Sequence, residues 1–165
     1  MIEIRKATAA DMPIVTELAE LIWPQTYSEY ISEAQLRYML NLMYNQEELL
    51  SQYHKGFTFF IASLNNEDVG FACVALQDEK QQRYKLHKLY VLPNLHGMGL
   101  GKLLINEVVK LVRAQGGKSV QLNVNRNNTA TNFYLKIGFK IKETVDINIG
   151  DGFFMNDYVM ELPIS

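Results

Sequence analysis

A chain with a single cysteine cannot be held together by disulfides. Cys73 is that residue, and it lies in the apolar run Gly70-Phe71-Ala72-Cys73-Val74-Ala75, where a buried, inert thiol is expected rather than a nucleophile. Excess charge is missing too. The formal net charge is -2, so the basic face that nucleic-acid binding demands is absent and no nucleic-acid partner is expected. No apolar run approaches the roughly 18–20 residues of a membrane-crossing helix. Met1-Ile2-Glu3-Ile4-Arg5-Lys6 also lacks the apolar stretch of a signal peptide. Repeats, low-complexity tracts and linkers are not evident. The expectation is a cytoplasmic protein without a membrane partner, folded as one domain over residues 1–165, a length sufficient for a real core.

The pattern of apolar residues supplies the elements. Ile2 and Ile4 alternate with Glu3 and Arg5 in a first strand. Thr8 or Asp11 caps a helix with the stripe Ile14, Leu18, Leu21, Ile22, expected to end at Pro24. Ser32 with Gln35, and Asn45 with Glu48, cap two further helices. Phe57–Leu64 and Val69–Leu76 read as strands around a turn at 65–68, and Tyr84–Leu92 as the next strand. That strand changes phase: Tyr84 and Leu86 share one parity, Leu89 and Val91 the other, which predicts a β-bulge within 87–90. A long amphipathic helix from Leu100 closes at Gly116-Gly117, and the strand around Val120, Leu122 and Val124 follows it. A helical crossover of that length makes the two flanking strands parallel. Asn127 or Asn128 caps a short helix ending at Gly138, and Asp151-Gly152 turns a final hairpin.

Two stretches carry chemistry. The first runs Leu89-Tyr90-Val91-Leu92-Pro93-Asn94-Leu95-His96-Gly97-Met98-Gly99-Leu100-Gly101-Lys102: a strand end, a proline stop, a glycine turn and a helix start. Glycines let the backbone come close to a ligand, and a helix N-terminus offers free N–H groups to a phosphate. A P-loop is excluded, because Leu103 follows Gly101-Lys102 and no hydroxyl is available for Mg²⁺. The dinucleotide fingerprint fails on Leu104. What remains is the pattern Arg/Gln-x-x-Gly-x-Gly/Ala, here His96-Gly97-Met98-Gly99-Leu100-Gly101 with His in the first position. The second stretch, Asn127 and Ala130 followed by Phe133-Tyr134-Leu135-Lys136-Ile137-Gly138-Phe139, matches Asn-x-x-Ala…Phe-Tyr-x-Lys-x-Gly-Phe.

These two motifs, in this order, resemble the signature of the GCN5-related N-acetyltransferase (GNAT) superfamily. Ile22-Trp23-Pro24-Gln25-Thr26-Tyr27 and Met155-Asn156-Asp157-Tyr158-Val159-Met160-Glu161-Leu162 look like bacterial members labelled diamine or polyamine acetyltransferases. The resemblance implies an α/β (α+β) fold: a mixed, V-splayed sheet of six or seven strands, helices on both faces, and acetyl-CoA in the splay between the bulged strand and strand 118–124. It implies transfer of an acetyl group from acetyl-CoA to a small-molecule primary amine, without a metal. A non-catalytic CoA-binding module and a protein or peptide acceptor are the alternatives, and a homodimer is left open.

By the same resemblance, backbone around His96, Gly97, Met98, Gly99, Leu100, Gly101 and Lys102 holds the pyrophosphate. Leu89, Tyr90 and Val91 bind the pantetheine arm, and Asn127 contacts it. Tyr134 sits where the family places its general acid, against the CoA sulfur. An alkylamine arrives protonated and needs a base, for which His87 is the best side chain by type and place. Trp23, Tyr27 and Tyr30 offer a tyrosine-rich acceptor wall, and Asp157, with Glu161 and Asp151, offers carboxylates to a polyamine.

Overall fold

The computed structural model describes residues 1–165. In chain order the elements are β1 (Ile2–Lys6), α1 (Met12–Tyr27), α2 (Glu33–Tyr44), α3 (Gln46–His54), β2 (Thr58–Leu64), β3 (Glu67–Asp78), β4 (Arg83–Val91), α4 (Leu100–Ala114), β5 (Ser119–Asn125), α5 (Ala130–Ile137), β6 (Lys140–Gly150) and β7 (Phe153–Pro163). The seven strands form a mixed sheet in the order β1-β2-β3-β4-β5-β7-β6. Its α/β class and strand number agree with expectation. The chain divides into two compact units, one comprising Met1–Ala75 with Leu86–Val108, the other Leu76–Lys85 with Val109–Ser165.

In the first unit, β1 pairs antiparallel with β2 and β2 with β3. The β2–β3 turn is tighter than expected. Asn65 and Asn66 alone make it, at φ 52° and 69°, the left-handed pair that a two-residue hairpin requires and asparagine tolerates. Caps behave as the sequence indicates: Ser32 Oγ accepts from the Gln35 N–H at 3.1 Å, and Asn45 Oδ1 from the Glu48 N–H at 2.8 Å.

Pro24 does not end α1, which continues to Tyr27. A mid-helix proline costs about 3 kcal/mol through its missing N–H and ring clash. Here Trp23 and Tyr27, four residues apart, are both buried in the last turn, and Gln25 Nε2 and Thr26 Oγ1 donate to the Leu21 and Ile22 carbonyls. Packing of that turn outweighs the local penalty.

In the second unit, β4 and β5 are parallel, with Arg83 opposite Ser119 and Lys85 opposite Gln121. β5 pairs antiparallel with β7, and β7 with β6. β5 alternates strictly, Val120, Leu122 and Val124 being buried. Gly116 ends α4 at φ 79°, and Asp151-Gly152 turns the last hairpin at φ 55° and 79°. β6 is an edge strand exposed along nearly its whole length.

Candidate functional site

The first unit carries the glycine turn. After Val91 the backbone folds through Leu95 N–H to the Leu92 carbonyl at 2.9 Å and His96 N–H to the Pro93 carbonyl at 3.2 Å. Gly97 and Gly99 then take φ 93° and 80°, a conformation that a side-chain-bearing residue reaches only at a cost of about 1–2 kcal/mol. Gly99 is the helix N-cap, since its carbonyl accepts from Leu103 N–H at 3.0 Å. A glycine cap brings no side-chain oxygen to the first-turn N–H groups of Leu100, Gly101 and Lys102, which have no intrahelical acceptor. A Cβ built at Gly97 or Gly99 would meet nothing within 4 Å, so the turn is open as well as donor-rich. Leu100 and Leu104 are fully buried and fix the helix start, while Met98 is exposed. Open N–H groups at a helix start of this kind can seat a phosphate group. His96 folds back, its Nε2 3.2 Å from the Val91 carbonyl, and ties the strand end to the turn.

The strand before the turn carries three different environments. Tyr84, Leu86 and Lys88 are buried in alternation, and burial resumes at Val91. The phase change inferred from sequence therefore falls between Lys88 and Val91. His87 is exposed, its ring stacked on Phe57 with centroids 4.7 Å apart and planes at 22°. Lys88 was not anticipated. Its Nζ donates to Gln52 Oε1 at 2.9 Å and lies 5.4 Å from the Tyr44 ring centroid and 5.7 Å from that of Phe59, a buried ammonium set among π-faces. Its parity with Tyr84 and Leu86 was the signal that could have found it.

Trp23 and Tyr27 belong to a packed aromatic cluster with Tyr44, Phe71 and Tyr90. Trp23 stands 4.8 Å from Tyr27, 5.4 Å from Tyr44 and 5.6 Å from Tyr90, centroid to centroid. The Tyr27 and Tyr90 hydroxyls share a hydrogen bond of 2.9 Å. Burial holds the Tyr44 phenol well above its ordinary pKa, so it acts as a neutral packing group. Trp23, Tyr27 and Tyr44 are core, whereas Leu89, Tyr90 and Tyr30 are half-buried. Tyr90 thus contributes its side chain to this cluster.

In the second unit, Tyr134 is the buried residue of α5, with T-shaped contacts to Phe133 at 5.3 Å and Phe139 at 5.5 Å. Asn128, through Oδ1 to Ala130 N–H at 2.9 Å, braces the start of that helix. Asn127 is exposed, and its N–H donates to Asn125 Oδ1 at 2.9 Å. Asp157 is buried, while Asp151 is exposed and Glu161 is engaged by Gln121 Nε2 at 3.0 Å. Burial raises the Asp157 pKa from its ordinary value, against the Asn123 amide and the charges of Lys85 and Arg126. Asn123 and Lys85 are partners that sequence patterning did not flag.

The chain contains no cluster of three or more His, Cys, Asp or Glu able to hold a metal, and no helix long and apolar enough to cross a membrane. Among known proteins, the sequence is 30% identical over 166 residues to a spermidine N(1)-acetyltransferase of Thermoplasma acidophilum, covering 97% of this chain and 96% of that protein. It is 36% identical over 76 residues to a ribosomal protein bS18-alanine N-acetyltransferase of Haemophilus influenzae, covering 46% of this chain and 49% of that one. The solved structure of a PaiA N-acetyltransferase from Thermoplasma acidophilum in complex with coenzyme A superposes with a TM-score of 0.82 at 27% identity, over 99% of both chains. The sequence model of the Acetyltransferase (GNAT) family matches residues 15–139, and the chain belongs to that family of acetyl-CoA-dependent N-acetyltransferases.

Proposed function

We propose that the acceptor is a primary amine of a small molecule, of the polyamine or diamine kind. The observation that carries this is the end-to-end similarity to a relative named for spermidine, against a match to a protein-directed enzyme that covers less than half of either chain. The family match runs through residues of both compact units, which supports residues 1–165 acting as one acetyltransferase. The single buried cysteine supports a reducing, cytoplasmic location.

Acetyl-CoA supplies an acetyl group activated as a thioester. On this reading the amides of Gly97 through Lys102 hold its pyrophosphate and Asn127 adds a contact to its arm. Backbone groups of Leu89, Tyr90 and Val91 align the arm, the Val91 amide polarising the reacting carbonyl. Tyr134 donates a proton to the departing sulfur, since a phenol is protonated at neutral pH. His87, exposed on β4, accepts protons on the solvent side. Tyr30, half-buried, walls the acceptor, Trp23 and Tyr27 serving as core packing rather than as wall, and Asp157 faces its positive charge. Positioning of the two reactants supplies much of the acceleration.

Thiol release from acetyl-CoA across spermidine, diamines, arylalkylamines, amino acids and peptides tests the acceptor class. Turnover confined to peptide amines would replace it with the protein-directed alternative, and CoA binding without turnover on any amine would leave a binding module. Gly99→Ala tests the turn. It is expected to cost about 1 kcal/mol of stability while weakening acetyl-CoA binding by about tenfold or more, measured by calorimetry. Undiminished affinity would remove the turn from the site. The exposed edge strand β6 also supports self-association, which light scattering would detect as a dimer mass.

A further inference from the structure

Asp157 is unlike every other carboxylate of the chain. It is only 2% exposed, and its Oδ2 makes no hydrogen bond within the chain. Three groups face it: Lys85 from β4, Asn123 from β5 and Arg126 just beyond β5. Arg126 is itself neutralised by an ion pair with Asp146, and burial pushes Lys85 toward its uncharged form. Asp157 lies opposite Asn125, the last residue of β5. β5 runs parallel to β4, and sheets of this kind bind their ligands beyond the carboxyl ends of such strands. A buried acceptor oxygen without a donor, at that end of the sheet, costs stability and is retained where chemistry needs it.

We propose that Asp157 is the proton acceptor for the incoming amine, its Oδ2 taking a proton from the ammonium nitrogen. This rests on the reading that the acceptor is an alkylamine. The N–H bond breaks, an O–H bond forms, and the nitrogen keeps the electron pair it needs for attack. An ammonium and a carboxylate become a free amine and a neutral carboxyl, and the proton returns to solvent after turnover. An alkylammonium supplies both the donor that Oδ2 lacks and the countercharge that an ionised buried carboxylate requires. Burial then favours the neutral carboxyl, so it draws the proton off the amine in the direction of reaction.

The test is the pH dependence of kcat and kcat/KM for spermidine, with acetyl-CoA affinity and thermal melting measured in parallel. Asp157→Asn is expected to lower kcat at neutral pH by about 100-fold, with the residual rate climbing about tenfold per pH unit as free amine accumulates. Acetyl-CoA affinity and melting temperature stay at or above wild type. The Asn123 amide and the Lys85 charge both lower the Asp157 pKa, so Asn123→Ala and Lys85→Met each shift the acidic limb of the profile to higher pH. A variant D157N with wild-type kcat and profile would overturn the proposal. So would a raised KM for spermidine with kcat intact, the mark of a mere ammonium anchor, or a loss of folding or CoA binding, the mark of a structural residue. If the wild-type enzyme turns over no small amine, the acceptor class itself falls and takes this inference with it. Small-amine turnover that D157N keeps at the wild-type rate sinks this inference alone.

Discussion

Replacing Tyr134 by phenylalanine is expected to lower kcat by about 100-fold or more while changing the acetyl-CoA dissociation constant by less than about threefold. The asymmetry follows from what is removed. The ring stays, and with it the T-shaped contacts to Phe133 and Phe139 that seat it in α5; only the hydroxyl goes. A proton donor that acts on the leaving sulfur matters when charge develops there, not when the ground state binds. Single-turnover thiol release with a saturating amine reads the chemical step directly. An unchanged rate would remove Tyr134 from the role, and an equal loss in binding would make the hydroxyl a CoA contact. The melting temperature serves as control, because a buried hydroxyl also has a structural value of about 1 kcal/mol.

Gly70→Ala is expected to be the more damaging of the glycine substitutions, although Gly70 belongs to neither motif. Its backbone is ordinary for a strand, so the reason is space. A Cβ there would lie 2.8 Å from the Tyr90 carbonyl oxygen, 3.1 Å from Val91 Cγ2 and 3.3 Å from Val91 Cα. Two of these three atoms are backbone and cannot swing aside. Overpacking of this kind costs about 1–3 kcal/mol, which in a chain of this size lowers the melting temperature by about 2–12 °C. The strain would be relieved by moving β4 at Tyr90 and Val91, so the KM for acetyl-CoA is expected to rise as well. A melting temperature within a degree of wild type would show that the strands separate freely there.

What could be read from the sequence depended on how far each signal reached along the chain. Caps, periodicities and the two motifs are local, and Ser32, Asn45, Gly116, Asp151-Gly152 and the turn at Gly97–Gly99 stand where local chemistry puts them. Pro24 failed as a helix stop because the decision was made by Trp23 and Tyr27 packing into aromatic residues distant in sequence. The burial of Lys88 and of Asp157 was hidden for a related reason. Each is a charged residue at a core parity, Lys88 in step with Tyr84 and Leu86, Asp157 in step with Val159. Charge suggests solvent and alternation suggests burial, and here alternation was the better guide. The partners that make burial tolerable, Gln52 for Lys88 and Asn123 for Asp157, come from other elements and leave no mark beside them in the sequence.

The lone cysteine has a practical consequence. Burial pushes the Cys73 thiol up to about 12, so in the native enzyme it presents almost no thiolate to a disulfide reagent. The CoA thiol released on each turnover can therefore be counted continuously with a chromogenic disulfide, without background from the protein. When the fold opens, one further equivalent of thiol per chain becomes reactive. The same reagent, used without substrate, then reports the opening of the strand that carries Cys73, and each variant's catalysis and structural integrity can be followed with a single colour change.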